Sequence, residues 1–427
     1  MSTAAAPVQS PSLAVSRRVA ALKPSVTVAF MNRAKSMQRQ GIDVLSFAAG
    51  EPDFDTPQSI KNAAIASLNA GVTKYMPTLG DPETRSVLAK KLLQENGIPT
   101  TADHIAISAG GKHSLYVACQ CLLDFPAPGQ SQQEVILPVP AWVSYAPIVE
   151  LCGGKVVELP TGPENDFKIT PEQLRKAITP RTRMLILNSP SNPCGTMYSP
   201  DEIRALGRVC AEAAASTAPD LVILSDELYE KIVYGGIEHF SIGSMPEIAE
   251  RTLTINGLSK AYAMTGWRIG YAAGSGAFGK KLIDAMGVLQ GQMTTNITSF
   301  TYASIREAIQ NGGPEVEKMR LAFASRAKVI FDLVSKIPGV KCPRPTGAFY
   351  VFPDVSAYFG KTSPAGKPIN SAMDMCEALL AEKHVAFVPG EDFGGCGKNC
   401  VRISFACSDD QIRRGVERFS EFLAALK

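Results

Sequence analysis

Between about residues 57 and 275 two hydrophobic patterns alternate along the chain. Short runs at 104–108, 134–138, 183–187, 220–224 and 252–255 are largely apolar, as expected of strands buried on both faces. Between them lie stretches with helical spacing. After residue 111, Leu115, Ala118, Cys119, Leu122 and Leu123 repeat at i, i+3, i+4, i+7 and i+8, which makes one buried stripe. Helix starts are also marked: Thr56-Pro57 opens one helix. Thr170-Pro171-Glu172-Gln173 and Ser199-Pro200-Asp201-Glu202 each place proline at the first helical position and a capping-box residue at the third. This alternation predicts an α/β fold with a mainly parallel sheet flanked by helices.

Beyond a long helical stretch near 279–311 the pattern changes. A polar helix at about 315–337, strand signals at 347–352, 385–388 and 401–405, and a closing helix predict a smaller α+β domain. The expected organisation is a disordered tail over 1–16, a segment over 17–55 that completes the small domain, a large domain over 56–310 and a small domain over 311–427. The tail is rich in Ala, Ser and Pro, lacks acidic residues and has no apolar stretch for secretion. It resembles the end of a transit peptide, so plastid stroma and cytoplasm both stay open.

Composition narrows the classes. A chain of 427 residues suits two domains. Its 43 basic and 40 acidic residues nearly cancel, so neither a nucleic-acid nor a membrane-surface partner is expected. No apolar run approaches the roughly 18 residues of a membrane span. The ten cysteines are scattered, several in apolar segments as Cys119, Cys121, Cys210 and Cys376 are, which predicts free thiols and a reducing compartment. Cys396 and Cys400 share a glycine-rich loop, but only His384 of the four histidines lies near, and no metal site is expected.

In an open α/β sheet, ligands bind beyond the carboxyl ends of the strands. The conspicuous polar residues fall there: Gly110-Gly111-Lys112 after the run 104–108, Asn192 after 183–187, Asp226 after 220–224 and Lys260 after 252–255. Taken singly each has an ordinary reading, as a tight turn, an Asn-Pro turn, a helix cap or a loop lysine. Trp142 alone reads as core, and Arg268 as a surface ion pair. Taken together they supply the parts that pyridoxal 5′-phosphate needs. Lys260 provides the Schiff-base amine and Asp226 a carboxylate for the pyridine nitrogen. Gly111, Lys112 and Arg268 provide phosphate donors, and Trp142 a flat surface under the ring. Burial and a cation such as Arg268 would both depress the lysine pKa.

The stretches "FAAGEPDFDTP", "AGGKHSL", "SPSNPCGTMY", "LSDELYE" and "NGLSKAYAMTGWRIGY" together resemble class I, fold-type I aminotransferases. More narrowly, "SRRVAALKPSVT" with "KYMPTLGDPETR" is similar to the bacterial and plastid aspartate aminotransferase group that includes prephenate aminotransferases. The resemblance runs from about residue 15 to the C-terminus. It implies that Lys260 attaches the cofactor and shuttles the proton, that Asp226 pairs with the pyridine nitrogen, and that Asn192 and Tyr229 bond the phenolic oxygen. Trp142 would stack on the ring, with Gly111, Lys112, Arg268 and Ser259 around the phosphate. Arg402 would clamp the substrate α-carboxylate, and Gly50 would contact it through its backbone. Thr27 and Lys112, joined by Lys23, would bear on a distal carboxylate. Tyr75 would reach the neighbouring subunit's phosphate, making the active site a shared feature of a homodimer. Cys194 stands where a common family pattern has threonine.

The resemblance implies transfer of an amino group between aspartate or glutamate and 2-oxo acids, with prephenate as a further acceptor giving arogenate. An enzyme of the same fold for aromatic or neutral amino acids stays open. A non-catalytic sensor module of a transcription regulator would need a DNA-binding extension, and the residues before "SRRV" leave no room for one. A nicotinamide dehydrogenase would need GxGxxG after a first strand, which is missing, and would not need the Lys260–Asp226 pair.

Overall fold

The computed structural model describes residues 14–22 and 26–427. Residues 1–13, most of the expected tail, and Lys23 lie outside the described residues. A seven-stranded sheet organises the larger part of the chain. Its strands are β1 (Ile105–Ser108), β2 (Glu134–Val139), β3 (Lys155–Pro160), β4 (Thr182–Asn188), β5 (Val222–Asp226), β6 (Thr252–Gly257) and β7 (Gly270–Ala273). In space they run β1-β7-β6-β5-β4-β2-β3. Every pair is parallel except those of β7, which lies antiparallel between β1 and β6. The fold is the expected α/β class, with the carboxyl ends of the parallel strands on one edge.

β3 and β7 carry no continuous apolar run. β3 is one of the two edge strands, half-buried and exposed along its length, and β7 is a Gly-Tyr-Ala-Ala run with a single large residue. Smallness has a cause at Gly270, where an added Cβ would collide with the backbone of Gly110 and Gly111.

Both proline-led starts form complete capping boxes, at Thr170 with Gln173 and at Ser199 with Glu202. Thr56 does not cap. The Gln58–Asn69 helix starts beyond Pro57, while the Thr56 hydroxyl donates to the Ala263 carbonyl at 2.7 Å and accepts from the Trp267 indole at 3.1 Å. The stretch near 279–311 is two helices, Gly276–Gly291 and Tyr302–Asn311, with Thr295 in a left-handed conformation between them. The expected polar helix runs Gly313–Val334 and is amphipathic: Met319, Phe323, Ala327, Ile330 and Val334 form a buried stripe.

That stripe packs into a second core, which also holds Phe387, Phe419 and Phe422. A three-stranded antiparallel sheet lies there, ordered Val388–Pro389, Val401–Ser404, Tyr350–Val351. The N-terminal segment joins the same core. Leu45–Ser46 pairs in parallel with Val385–Ala386, and Phe30, Ala34, Val44 and Phe47 are buried against it. We propose that the two cores mark two domains divided in the first turn of the Gly313–Val334 helix, because Val316 packs in the large core and Met319 onward in the small one. Among the described residues no helix is long and apolar enough to cross a membrane.

Candidate active site

One cleft opens between the carboxyl edge of the large sheet and the small core. Gly111, Lys112, Trp142, Asn192, Asp226, Tyr229, Ser259, Lys260 and Arg268 line it from the large side, and Thr27, Gly50 and Arg402 from the other. These are the candidate residues of the sequence except Tyr75 and Lys23.

Asp226 ends β5 and is almost fully buried. Burial pushes its carboxyl up to about 6. Hydrogen bonds from the Tyr145 hydroxyl (2.6 Å to Oδ2) and the Leu228 N–H (3.2 Å to Oδ1) oppose that rise. Lys260 follows β6 by three residues and donates to the Gly50 carbonyl at 2.5 Å. Burial brings its amine down to about 8, and the nearby Arg402 and Arg268 act in the same direction.

Arg402, on the Val401–Ser404 strand, is only 3% exposed. Its Nη1 donates to Asn192 Oδ1 (3.1 Å) and its Nη2 to the Ala48 carbonyl (2.8 Å), while Nε is buried without a partner. Burial lowers its pKa. Among the described residues it has no salt-bridged carboxylate, so a buried guanidinium keeps unsatisfied capacity for an anion.

A second element suited to an anion is the start of the Gly111–Leu122 helix. Gly110 has φ 91°, and a Cβ there would press on the Arg268 guanidinium. The first N–H groups of that helix have no acceptor within it, and its dipole favours an anion. Arg268 itself has a left-handed φ of 55°, a conformation that is strained for a non-glycine residue and often found at functional sites. It donates to the Thr265 carbonyl at 2.9 Å and remains exposed. The Lys112 ammonium sits over the Trp142 ring, 4.9 Å from its centroid; burial and then Arg268 lower its pKa.

Thr27 lines the cleft, yet its N–H and its hydroxyl both donate to Asp392 Oδ2. Tyr75 is 87% exposed and lies outside the cleft, in a separate depression with Asn296 and Phe300. Tyr145 and Tyr350 also line the cleft, although sequence reasoning did not single them out. The Tyr350 hydroxyl bonds that of Tyr229 at 2.9 Å, and its ring lies under the Arg402 guanidinium at 4.8 Å. For Tyr145 the available signal is its place, six residues beyond β2 and three beyond Trp142. Tyr350 sits inside an apolar run and gives none.

Behind Asp226, the ligand atoms of Glu227, Glu230 and His239 lie within 4.8 Å of one another. Their carboxylates are already engaged: Glu227 by Ser225 and Ser241, Glu230 by Lys91 and Asn96. This is a buried ion-pair network that braces the β5 end. Cys396 and Cys400 are free thiols whose pKa values burial raises.

Residues 42–419 match the family described as aminotransferase class I and II. The chain is 44% identical to an aspartate aminotransferase of Geobacillus stearothermophilus, over 96% of its own length and 99% of that protein. It is 42% identical to an aspartate/prephenate aminotransferase of Cereibacter sphaeroides, covering 96% and 99% respectively. The structure superposes on an aspartate aminotransferase of Rhizobium meliloti with a TM-score of 0.90 at 38% identity, covering 97% of this chain and all of the other.

Proposed function

The chain belongs to the class I and II aminotransferases, which work with pyridoxal 5′-phosphate, and on that premise we propose that it moves an amino group between aspartate or glutamate and 2-oxo acids, with prephenate as a further acceptor. The observation that carries this reading is that one cleft brings together the Lys260 amine, a buried carboxylate, Asp226, and a buried guanidinium with an unpartnered Nε, Arg402.

The residues fit the cofactor. The Gly111 helix start, Lys112, Arg268 and Ser259 offer donors for its phosphate, and the Gly110 conformation keeps that cradle open to Arg268. Trp142 offers the flat surface, and Asn192 and Tyr229 offer donors for a ring oxygen. When bound, the cofactor supplies a sink for the electron pair left as the substrate's α-proton departs. Asp226, raised by burial, would be held ionised by a cation facing it, and would in turn favour a proton on the ring nitrogen. Lys260 Nζ takes up and returns the α-proton; its lowered pKa leaves a useful fraction neutral near pH 7. Arg402 presents a rigid fork to the α-carboxylate, with Asn192 fixing its orientation and the Gly50 backbone beside it. Lys112 and Thr27, joined by Lys23, are assigned to the distal carboxylate.

Tyr75 is assigned to a partner subunit's phosphate in a homodimer. A reducing compartment, plastid stroma or cytoplasm, fits the ten free cysteines.

The test is to mix the holoenzyme with aspartate, glutamate, alanine or phenylalanine and follow the cofactor spectrum. Aspartate and glutamate should convert it fastest; a lead for alanine or phenylalanine would favour the neutral or aromatic alternative. Lys112→Gln and Thr27→Val should then cost about 10- to 150-fold in kcat/KM on the dicarboxylates and spare alanine.

A further inference from the structure

The Val26–Arg39 helix has two working faces. Phe30 and Ala34 are buried in the small core, while Thr27 and Met31, one turn apart, line the cleft. The first N–H groups of any helix lack acceptors within it. Here Thr27 N–H donates to Asp392 Oδ2 at 3.2 Å, and Thr27 Oγ1 donates to the same oxygen at 3.0 Å. A single carboxylate from the far end of the chain therefore caps this helix from outside and also places an anion at its positive end.

Asp392 is well placed to transmit position. It lies in the turn Gly390–Phe393, directly after the Val388–Pro389 strand, and Val388 pairs with Arg402. Its charge also reaches the Arg402 guanidinium. Asp392 itself does not line the cleft.

Building on the substrate assignment above, we propose that Asp392 is a positioning residue, fixing Thr27 and Met31 as one wall of the cleft relative to Arg402 by capping the Val26–Arg39 helix in trans. The geometry also sets a condition on Thr27. Its hydroxyl proton is engaged by Asp392, so it can donate to a substrate carboxylate only by exchanging that bond.

The test uses the holoenzyme and two substitutions. In Asp392→Ala, amide hydrogen exchange at residues 30–31 should rise about tenfold, while helices of the large core stay unchanged. KM for aspartate should rise several-fold with kcat within about twofold, as expected when a wall loosens but the reacting groups do not move. Asp392→Asn keeps an acceptor oxygen but not the charge, and should restore most of both effects. Unchanged exchange in Asp392→Ala would overturn the proposal, as would raised exchange with an unaltered KM. An Asn variant as impaired as Ala would also overturn it, because the effect would then be one of charge and not of the hydrogen-bonded cap. If Thr27→Val and Lys112→Gln slow alanine as much as aspartate, the substrate assignment fails, but the exchange result still decides the role of Asp392.

Discussion

Lys260 and Asp226 are pushed in opposite directions by the same burial, and each loses stability at neutral pH for it. The lysine, down to about 8 from an ordinary 10.5, carries its full desolvation cost below pH 8 and sheds it as pH rises towards 10.5. The aspartate, up to about 6 from 3.8, carries its cost above pH 6 and sheds it as pH falls towards 3.8. Two outcomes follow. In the apoprotein, labelling of Lys260 by an amine-reactive ester should titrate with a midpoint near 8; a midpoint near 10.5 would mean the cleft does not activate it. Asp226→Asn should raise apoprotein stability by about 1–3 kcal/mol in urea unfolding, yet cut single-turnover proton removal by at least about 100-fold. A less stable variant would show that the bonds from Tyr145 and Leu228 outweigh the burial cost. Both residues were legible because each ends or follows a strand that reads clearly as apolar. Tyr350 was not, since what gives it meaning is Tyr229 and Arg402, both distant in sequence.

The proposed phosphate cradle depends on how closely β7 approaches the start of the Gly111–Leu122 helix. A Cβ at Gly270 would meet main-chain atoms of Gly110 and Gly111, which cannot rotate away as a side chain can. Gly270→Ala should therefore destabilise by about 3 kcal/mol or more and weaken cofactor binding at least tenfold, roughly, by spectroscopic titration. Gly41→Ala is the control: Gly41 has φ 83° with nothing within 4 Å, so its cost should be about 1 kcal/mol of backbone strain with cofactor binding unchanged. Equal effects would place the cause in glycine's flexibility and not in the close approach. The same contact explains the glycine that opens β7, a residue that weakens the strand signal there. The capping boxes at Thr170 and Ser199 were readable because capping is local. Thr56 misled because its hydroxyl is claimed by Ala263 and Trp267, a tertiary demand.

At the scale of the molecule, the helix-strand alternation was enough to give the α/β class, whereas the pairing of Leu45–Ser46 with Val385–Ala386 has no local signature. Tyr75 stands 87% exposed in a surface depression that Asn296, Ile297 and Phe300 also line. If it serves a partner's cofactor, Tyr75→Ala subunits mixed with Lys260→Ala subunits should regain activity through the one site with neither lesion. Verified heterodimers without any recovery would mean that each site is built from one chain. The sheet order carries a consequence for synthesis. β1 is an edge strand whose single sheet neighbour is β7, so Ile105 stays unpaired until Ala273 has been made. At ribosomal speeds of about 5–20 residues per second that interval lasts roughly ten to thirty seconds. Leu45 waits longer still, for Val385. A nascent chain thus shows apolar strand edges at both cores before either can close, a window in which a holding chaperone would find its client.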